Sequence, residues 1–180
     1  MGNVQRGATV DRPVPAPKQE GYFTDEETAL VRSTWNVLQQ QQDIGSCGVR
    51  IFLRIFDLRP EAKQLFPFRD IENDQLQKHF LFRAHATRFM QAIGVTVANL
   101  DAPDVSVTPT LVRLGKEHVK FSDRMLDYFD VFNQAVLEQW REQLGIRCTP
   151  EVEAAWIKVF TLIMMSLKEG YVGEKGPDTL

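Results

Sequence analysis

Residues 107–121, VTPTLVRLGKEHVKF, decide the fold because they predict a short helix that ends in a histidine. Thr108 is suited to cap a helix whose first position is Pro109, since a proline there lacks only an N–H group that would have no partner within the helix. One side of this helix carries small or apolar residues at helical spacing, namely Leu111, Leu114 and Gly115. His118 follows at the same spacing, so the sequence places one imidazole at the end of an apolar face.

A second imidazole is predicted on a longer helix that runs from about Asp74 to Asn99. Within it, the sequence FLFRAHATRFMQAI (residues 80–93) places His85 on an apolar face. The other members of that face recur at steps of three or four residues, namely Phe82, Phe89 and Ile93. Two helices that each present one histidine, in a chain with 12 phenylalanines, indicate a slot for a planar cofactor that carries iron.

Four further segments show the periodicity of amphipathic helices, and they begin at Thr24, Ile44, residue 123 and Thr149. A capping box links Thr24 to Glu27 at the start of the first of them. Pro60 begins a short helical turn, and residues 99–109 are predicted to form a loop because they contain two prolines. No stretch alternates long enough with the period of a strand, so the sequence predicts an all-α fold.

The sizes of two residues predict where the second helix and the long helix approach each other most closely. Gly48 lies one turn before Phe52 in the second helix, and the small Ala86 lies beside His85 in the long helix. Because two helices approach closely only where little side-chain bulk separates them, we expect Gly48 to face Ala86.

The length, composition and net charge of the chain limit which class of protein it can be. With 180 residues, of which 43% are hydrophobic, a single domain with a full core is expected. The formal net charge of −3 gives no basic footprint, so nucleic acid is not an expected partner. No apolar run has the roughly 20 residues of a membrane-spanning helix. No signal-peptide pattern follows Met1 either, and a cytoplasmic location is therefore expected.

The two ends of the chain are predicted to differ from the domain between them. Residues 1–22 should form a flexible extension because they contain the sequence PVPAP and little apolar surface, and residues 173–180 a disordered tail, which leaves a domain at 23–172. Gly2 follows Met1 as in N-myristoylation signals, but Arg6 stands where the acceptor pattern has Ser or Thr. One acyl chain alone would give only weak, reversible membrane association.

Taken together, the landmarks of the chain resemble those of the globin family, from about Thr24 to Tyr171. They occur in the family's order and are Trp35, Pro60, Leu65–Phe66, Arg83–His85, the LGKEH sequence that ends at His118, and TPEVEAAW at residues 149–156. The chain is similar in particular to neuroglobin and globin X, and globin X also tends to carry an N-terminal extension that begins Met-Gly.

The resemblance implies the globin fold, with about eight helices packed around a pocket for haem b. It also implies that His118 is the proximal ligand of the haem iron, a role for which a neutral imidazole is suited. The second ring nitrogen of His118 is expected to donate to the backbone carbonyl of Leu114 one turn earlier, which would fix the tautomer. The alternative is a histidine that only interacts with the carbonyls at a helix end.

For His85 the residues alone leave several roles open: an ordinary core histidine, a hydrogen-bond donor to bound dioxygen, or a second ligand of the iron. The resemblance to neuroglobin and globin X implies the last, so bis-histidyl coordination at rest is predicted. Phe89 replaces the smaller aliphatic residue that is usual one turn after the distal histidine, and should narrow the ligand side. His79 precedes His85 by six residues, about 240° around a helix, and is expected at the surface.

The resemblance also suggests the remaining contacts of the cofactor. Phe66 should stack on the porphyrin, where a large flat side chain gains both burial and aromatic contact. Phe52 should overhang the ligand side, and Arg88 is expected to reach a propionate. The rest of the wall is predicted to be Phe68, Leu114, Phe121, Phe129 and Phe132. For the apolar members of this set, simple core packing is the alternative.

A haem globin of this kind is expected to bind O2, CO or NO after His85 leaves the iron, with a role in redox chemistry, sensing or nitrogen-oxide chemistry rather than bulk oxygen transport. An enzymatic alternative is nitrite reduction or nitric oxide dioxygenation with an external reductase. Any turnover would use the chemistry of the iron, because the sequence has no recognisable arrangement of catalytic side chains. A third alternative is a globin-fold interaction module without haem.

The two cysteines, Cys47 and Cys148, allow a disulfide or two free thiols. A bond between them would close a loop of about 100 residues and stabilise the fold by up to ~4.7 kcal/mol in the chain-entropy model. Free thiols are the expectation in a reducing cytosol.

Overall fold

The computed structural model describes residues 21–41, 43–121 and 124–175. Within them the chain forms eight α-helices and three short 3-10 helices, and no strand is present in these ranges. The α-helices are α1 (Asp25–Gln41), α2 (Ile44–Leu58), α3 (Asn73–Leu76), α4 (Phe80–Ala98), α5 (Pro103–Ser106), α6 (Thr108–His118), α7 (Phe129–Leu144) and α8 (Pro150–Lys175). The all-α prediction is confirmed. Gly2 and most of the two predicted flexible ends lie outside the described residues.

The start of α1 has the predicted capping box. The backbone N–H of Thr24 donates to the Glu27 carboxylate at 2.8 Å, and the N–H of Glu27 donates to the Thr24 hydroxyl at 3.1 Å. These two bonds satisfy donors that have no partner inside the helix. Val31, Trp35 and Leu38 recur at steps of four and three residues along α1, and all three are buried.

The crossing of α2 and α4 is as close as the residue sizes predict. A side-chain carbon added at Gly48 would lie 2.5 Å from the carbonyl oxygen of Ala86 and 2.9 Å from the Met90 side chain. Gly48 therefore faces Ala86 directly. Since Ala86 adjoins His85, this contact fixes the height and rotation of the histidine on α4.

The long helix predicted over residues 74–99 is wrong in its first part. The structure has the one-turn helix α3, a break at residues 77–79 and then α4 from Phe80. Leu76 and Phe82 are both fully buried. On one continuous helix, residues six apart point about 240° away from each other, so the break allows both side chains to reach the core.

The predicted cap of α6 is also wrong. Residues 103–106 form α5 instead of a loop, and α5 leads directly into α6. The carbonyl of the buried Val107 accepts the N–H groups of Thr110 and Leu111, each at 3.0 Å. Val107 thus stands at the cap position, and the Thr108 hydroxyl is buried without a hydrogen-bond partner among the described residues.

The helix predicted from residue 123 begins later than expected. Residues 125–128 form a 3-10 turn and α7 starts at Phe129. Leu126 shares the helical spacing of Phe129 but is only half-buried, and Tyr128 is the buried residue of the 3-10 turn, at 1% exposure. The tighter turn is responsible, because it rotates successive residues by about 120° instead of 100°.

The last helix, α8, packs its apolar face against α1 and α6. The Thr149 side chain accepts from the N–H of Val152 at 3.4 Å, as the sequence predicts for the start of this helix. Trp35, Trp140 and Trp156 meet in the core with ring centroids 5.3–6.4 Å apart. The indole N–H of Trp156 donates to the buried Thr34 hydroxyl at 2.9 Å, so this polar atom is satisfied inside the core.

In the part of the chain that the structure describes, no helix combines the length and the hydrophobicity that crossing a membrane requires.

Replacing Thr34 with Val should lower the free energy of unfolding by about 1–3 kcal/mol, because it leaves the buried Trp156 N–H without an acceptor. Urea unfolding followed by tryptophan fluorescence measures the change. The matched control is Ser33→Ala, since the one hydrogen bond of the exposed Ser33 hydroxyl among the described residues goes to the Leu30 carbonyl of its own helix. This replacement should change the free energy of unfolding by less than about 0.5 kcal/mol. Equal stability of the Thr34→Val protein and the wild type would contradict the role of this bond.

The Glu27 carboxylate gives a pH-dependent contribution. The Lys158 ammonium donates to both its oxygens, at 2.8 and 3.1 Å, and this bond holds the pKa of Glu27 below its usual value of 4.5. A lowered carboxyl pKa stabilises the fold above the unfolded-state pKa, and the stabilisation disappears as the pH falls through the folded-state pKa.

Glu27→Gln should therefore cost up to about 1 kcal/mol at pH 7 and progressively less below about pH 4.5. Glutamine can still cap the helix, so the variant removes the charge and keeps the capping box. Urea unfolding of the two proteins between pH 7 and pH 3 tests this, with the exposed Glu26→Gln as control. A stability difference that does not depend on pH would refute the assignment.

Candidate cofactor site

The imidazole of His118 ends helix α6 in a defined orientation. Its Nδ1 atom lies 2.7 Å from the backbone carbonyl oxygen of Leu114. Because a carbonyl oxygen only accepts, Nδ1 carries the hydrogen and donates it, as the sequence predicts. The other ring nitrogen, Nε2, then has its lone pair available, which is the state that a metal ligand requires.

The imidazole of His85 lies among phenylalanine rings. Its centroid is 5.0 Å from those of Phe52 and Phe66 and 6.5 Å from that of Phe68. All three contacts are edge-to-face, at interplanar angles of 63–81°. None of the hydrogen bonds found among the described residues involves this imidazole, so its ring nitrogens are not committed to a protein partner there.

Burial lowers the pKa of His85 to about 4, and the charges of His118 and Arg88 act in the same direction. The imidazole is therefore neutral at pH 7 and keeps a lone pair.

Phe52 is the centre of the aromatic wall and is only 1% exposed. Six rings lie within 5.0–6.4 Å of it, those of Phe56, Phe66, Phe82, His85, Phe89 and Phe132. Phe66 and Phe68 stack on each other with centroids 5.0 Å apart and an interplanar angle of 12°. The sequence singled out most of these residues one by one, and the structure brings them together around Phe52, with His85 among them.

Four predicted residues lie outside this ring network. Phe121 is 69% exposed, with its ring 6.5 Å from that of His118, and Leu114 is 36% exposed. Phe129 is half-buried and Arg88 is exposed. Their assignments to the pocket wall and to a propionate stay predictions.

The residues present fit a haem. One imidazole is oriented with a free Nε2, the other is neutral and has no protein partner among the described residues, and apolar surface of Leu114 and Phe121 is exposed beside His118. A flat apolar group with a metal centre satisfies these three features together, since it needs axial nitrogen ligands and covers apolar surface. No cluster of three or more His, Cys, Asp or Glu side chains that could hold a bare metal ion occurs in the described ranges.

Lys63 fixes the corner after the first 3-10 helix, at residues 66–71, through contacts that the sequence did not predict. The Lys63 ammonium donates to the backbone carbonyl of Ile71 and, at 2.9 Å, to the Asn73 side-chain oxygen. It thereby closes the segment that carries Phe66 and Phe68. A lone lysine in a polar stretch gives no sequence signal for such a bond.

His79 differs from the prediction in its environment. It is half-buried instead of exposed, and its Nδ1 atom is buried without a hydrogen-bond partner among the described residues. The break between α3 and α4 is the reason, because the 240° rotation expected from His85 holds only along a continuous helix.

The two cysteines are free thiols in the structure. Cys47 is fully buried and its sulfur accepts from the Gln143 side-chain nitrogen at 3.3 Å, whereas Cys148 is half-buried. Burial raises the pKa of both thiols, so neither is activated as a nucleophile at neutral pH.

A separate open groove of about 380 Å³ lies between α6 and α8. It is lined by Thr108, Pro109, Val112, Arg113, Lys116 and Glu169. None of these residues belongs to the aromatic wall, so the groove is distinct from the histidine site.

The sequence matches a family model described as Globin over residues 49–167. Cytoglobin-2 of Danio rerio is 34% identical over 153 residues, which span 83% of each of the two chains. A protein named anaerobic nitrite reductase AHB2, from Arabidopsis thaliana, is 30% identical over 148 residues, or 81% of this chain and 92% of that protein.

Solved structures support the same fold. A hexacoordinated haem protein from an anhydrobiotic tardigrade has a TM-score of 0.74 at 21% identity, covering 83% of this chain and 95% of its own. A globin of Drosophila melanogaster has a TM-score of 0.73 at 18% identity, covering 82% and 94%. At these identities the likeness concerns the fold alone.

Lys63→Met should loosen the corner at residues 66–71, since it removes the charged donor to Ile71 and Asn73. Amide hydrogen exchange in that segment should become faster, and the free energy of unfolding should fall by about 1.5–3 kcal/mol, the usual range for a bond to a charged group. Mass spectrometry of deuterium uptake measures the first effect. Lys78→Met is the control, because Lys78 is exposed in the same region; equal uptake in both variants would contradict the role of Lys63.

Proposed function

The chain belongs to the globin family, and we propose that it binds haem b with His118 as the proximal and His85 as the distal ligand of the iron. In this proposal the resting protein is six-coordinate, and O2, CO or NO binds after His85 moves away. The finer likeness to neuroglobin and globin X stays a prediction.

The single observation that carries the proposal is the state of the two imidazoles. His118 uses Nδ1 for the Leu114 carbonyl and therefore offers Nε2, while His85 is neutral, surrounded by rings and without a hydrogen bond to any described residue. His85 is half-buried and its ring nitrogens have no hydrogen bond to a described residue, so they are available to an iron that approaches from the open side. When bound, haem supplies reversible gas binding and one-electron redox chemistry.

The aromatic wall determines how His85 can move. Phe52 and Phe66 bound the space beside it, each with its ring centroid 5.0 Å from that of the imidazole, and the Phe89 ring lies 5.3 Å from that of Phe52. Departure of the imidazole requires these rings to shift in a tightly packed environment. We therefore expect the rate of ligand capture to be set by the movement of His85 and not by diffusion of the gas.

An internal ligand also lowers the apparent affinity for gases. If His85 is off the iron in only about a tenth of the molecules, the apparent affinity falls about tenfold, or roughly 1.4 kcal/mol. Such a protein is poorly suited to store oxygen. Redox chemistry, sensing or nitrogen-oxide chemistry is the more suitable role.

The second candidate function is enzymatic, namely nitrite reduction or nitric oxide dioxygenation with electrons from an external reductase. Its support is the 30% identity, over most of both chains, to the Arabidopsis protein named anaerobic nitrite reductase. In either reaction the residues of this chain would bind and orient while the electrons come from outside. Coupled turnover with a reductase would decide between this function and gas binding alone.

Replacing His85 with Ala should make CO binding to the ferrous protein at least about tenfold faster, because no internal ligand then has to leave first. Stopped-flow mixing of the reduced, haem-loaded protein with CO measures the rate. The matched control is His79→Ala, which removes the neighbouring histidine six residues away and should leave the rate unchanged.

Equal rates for the His85→Ala protein and the wild type would contradict the distal assignment. A wild-type protein that takes up no haem would instead favour the interaction module without a cofactor.

A further inference from the structure

Helices α6 and α8 meet backbone to backbone through one glycine on each. A side-chain carbon added at Gly115 of α6 would lie 2.1 Å from the Leu167 carbonyl oxygen, and one added at Gly170 of α8 would lie 1.8 Å from the Val112 carbonyl oxygen. Carbon atoms of real side chains essentially never come closer than 3.0 Å to such neighbours. Both obstacles are backbone atoms, which cannot rotate away, so any substitution must push the helices apart by about 1 Å.

This crossing is the main support of α6. Among the described residues, α8 is the principal neighbour of α6, and α5 is the only other element that touches it at several positions. Only Leu111 and Gly115 of α6 are buried. A helix with so few buried residues has little else to define its place, so the glycine contact decides where it lies.

The crossing lies one turn from the histidine. Gly115 directly follows Leu114, whose carbonyl oxygen accepts the hydrogen bond from Nδ1 of His118. Leu114, which orients the imidazole of His118, is therefore directly followed by Gly115, which sets the position of α6 against α8. A shift of α6 against α8 would move both the imidazole and the carbonyl that holds it.

We propose that Gly115 and Gly170 are positioning residues for His118, and that their contact fixes the place of the imidazole that holds the iron. This inference rests on the haem-binding function proposed above. The two glycines touch neither cofactor nor ligand in this role and act only through α6. The alternative is that they serve general packing, in which case their replacement weakens the whole fold without a particular effect on His118.

The first test uses the protein without haem. Gly115→Ala and Gly170→Ala should each cause a loss of amide-exchange protection in residues 108–118, while α1, α2 and α4 keep theirs. Gly173→Ala is the matched control, since Gly173 lies on the same helix as Gly170, three residues later, and an added side-chain carbon there would meet no described atom of another element within 4 Å. It should leave the protection of α6 unchanged or slightly raised, because alanine favours helices over glycine.

The second test measures the iron–histidine bond itself. In the His85→Ala background only His118 is left to hold the reduced haem iron, so the iron–histidine stretching band in resonance Raman spectra reports its position. The band should shift or broaden with Gly170→Ala and stay in place with Gly173→Ala. If the two glycines served only general packing, the iron–histidine band would have the same position in Gly170→Ala as in Gly173→Ala.

Each outcome decides the inference. An unchanged band and unchanged protection in both Gly115→Ala and Gly170→Ala would overturn it. Loss of helical circular dichroism throughout either protein would also overturn it, because the glycines would then hold the whole fold and not α6 in particular. If the His85→Ala parent shows no iron–histidine band, the proposed haem function fails and not the positioning role, which the exchange data on the haem-free protein test separately.

Discussion

The proposed haem site requires that two imidazoles on different helices be held at fixed positions relative to each other. Both helices are seated by backbone contacts that only glycine permits. Gly48 of α2 lies against the Ala86 carbonyl beside His85, and Gly115 of α6 and Gly170 of α8 lie against each other's helices one turn from His118. Because such contacts involve no flexible side chain, they leave little freedom of rotation or translation.

The chemistry of the site follows from what surrounds each ring. His118 has a carbonyl partner that fixes its tautomer, whereas His85 lies against the rings of Phe52, Phe66 and Phe68, and burial lowers its pKa to about 4. In the proposed function the same rings also limit the movement of His85. The phenylalanines around Phe52 would thereby affect both the readiness of His85 to bind a metal and the barrier to its departure.

Much of the fold, and the hydrogen bond from His118 to the Leu114 carbonyl, could be predicted from the sequence, because both depend on local signals. The capping box at Thr24, the burial of Trp35 and the approach of Gly48 to Ala86 need only spacing and residue size, and the structure confirms them. The predictions from the sequence are wrong where tertiary contacts override the local pattern of residues. The long helix is broken where Leu76 and Phe82 are both buried, and Val107, directly after α5, stands at the cap position predicted for Thr108. The close approach of α6 and α8 at Gly115 and Gly170 joins segments that share no sequence pattern.

The absorption spectrum of the reduced wild-type protein, loaded with haem and kept free of gases, tests the central claim most directly. Two axial imidazoles predict a low-spin spectrum with two resolved bands in the visible region, and these bands should be lost when His118 is replaced by Ala. A single broad band typical of five-coordinate iron would contradict the bis-histidyl site, and the absence of any haem band would contradict cofactor binding altogether.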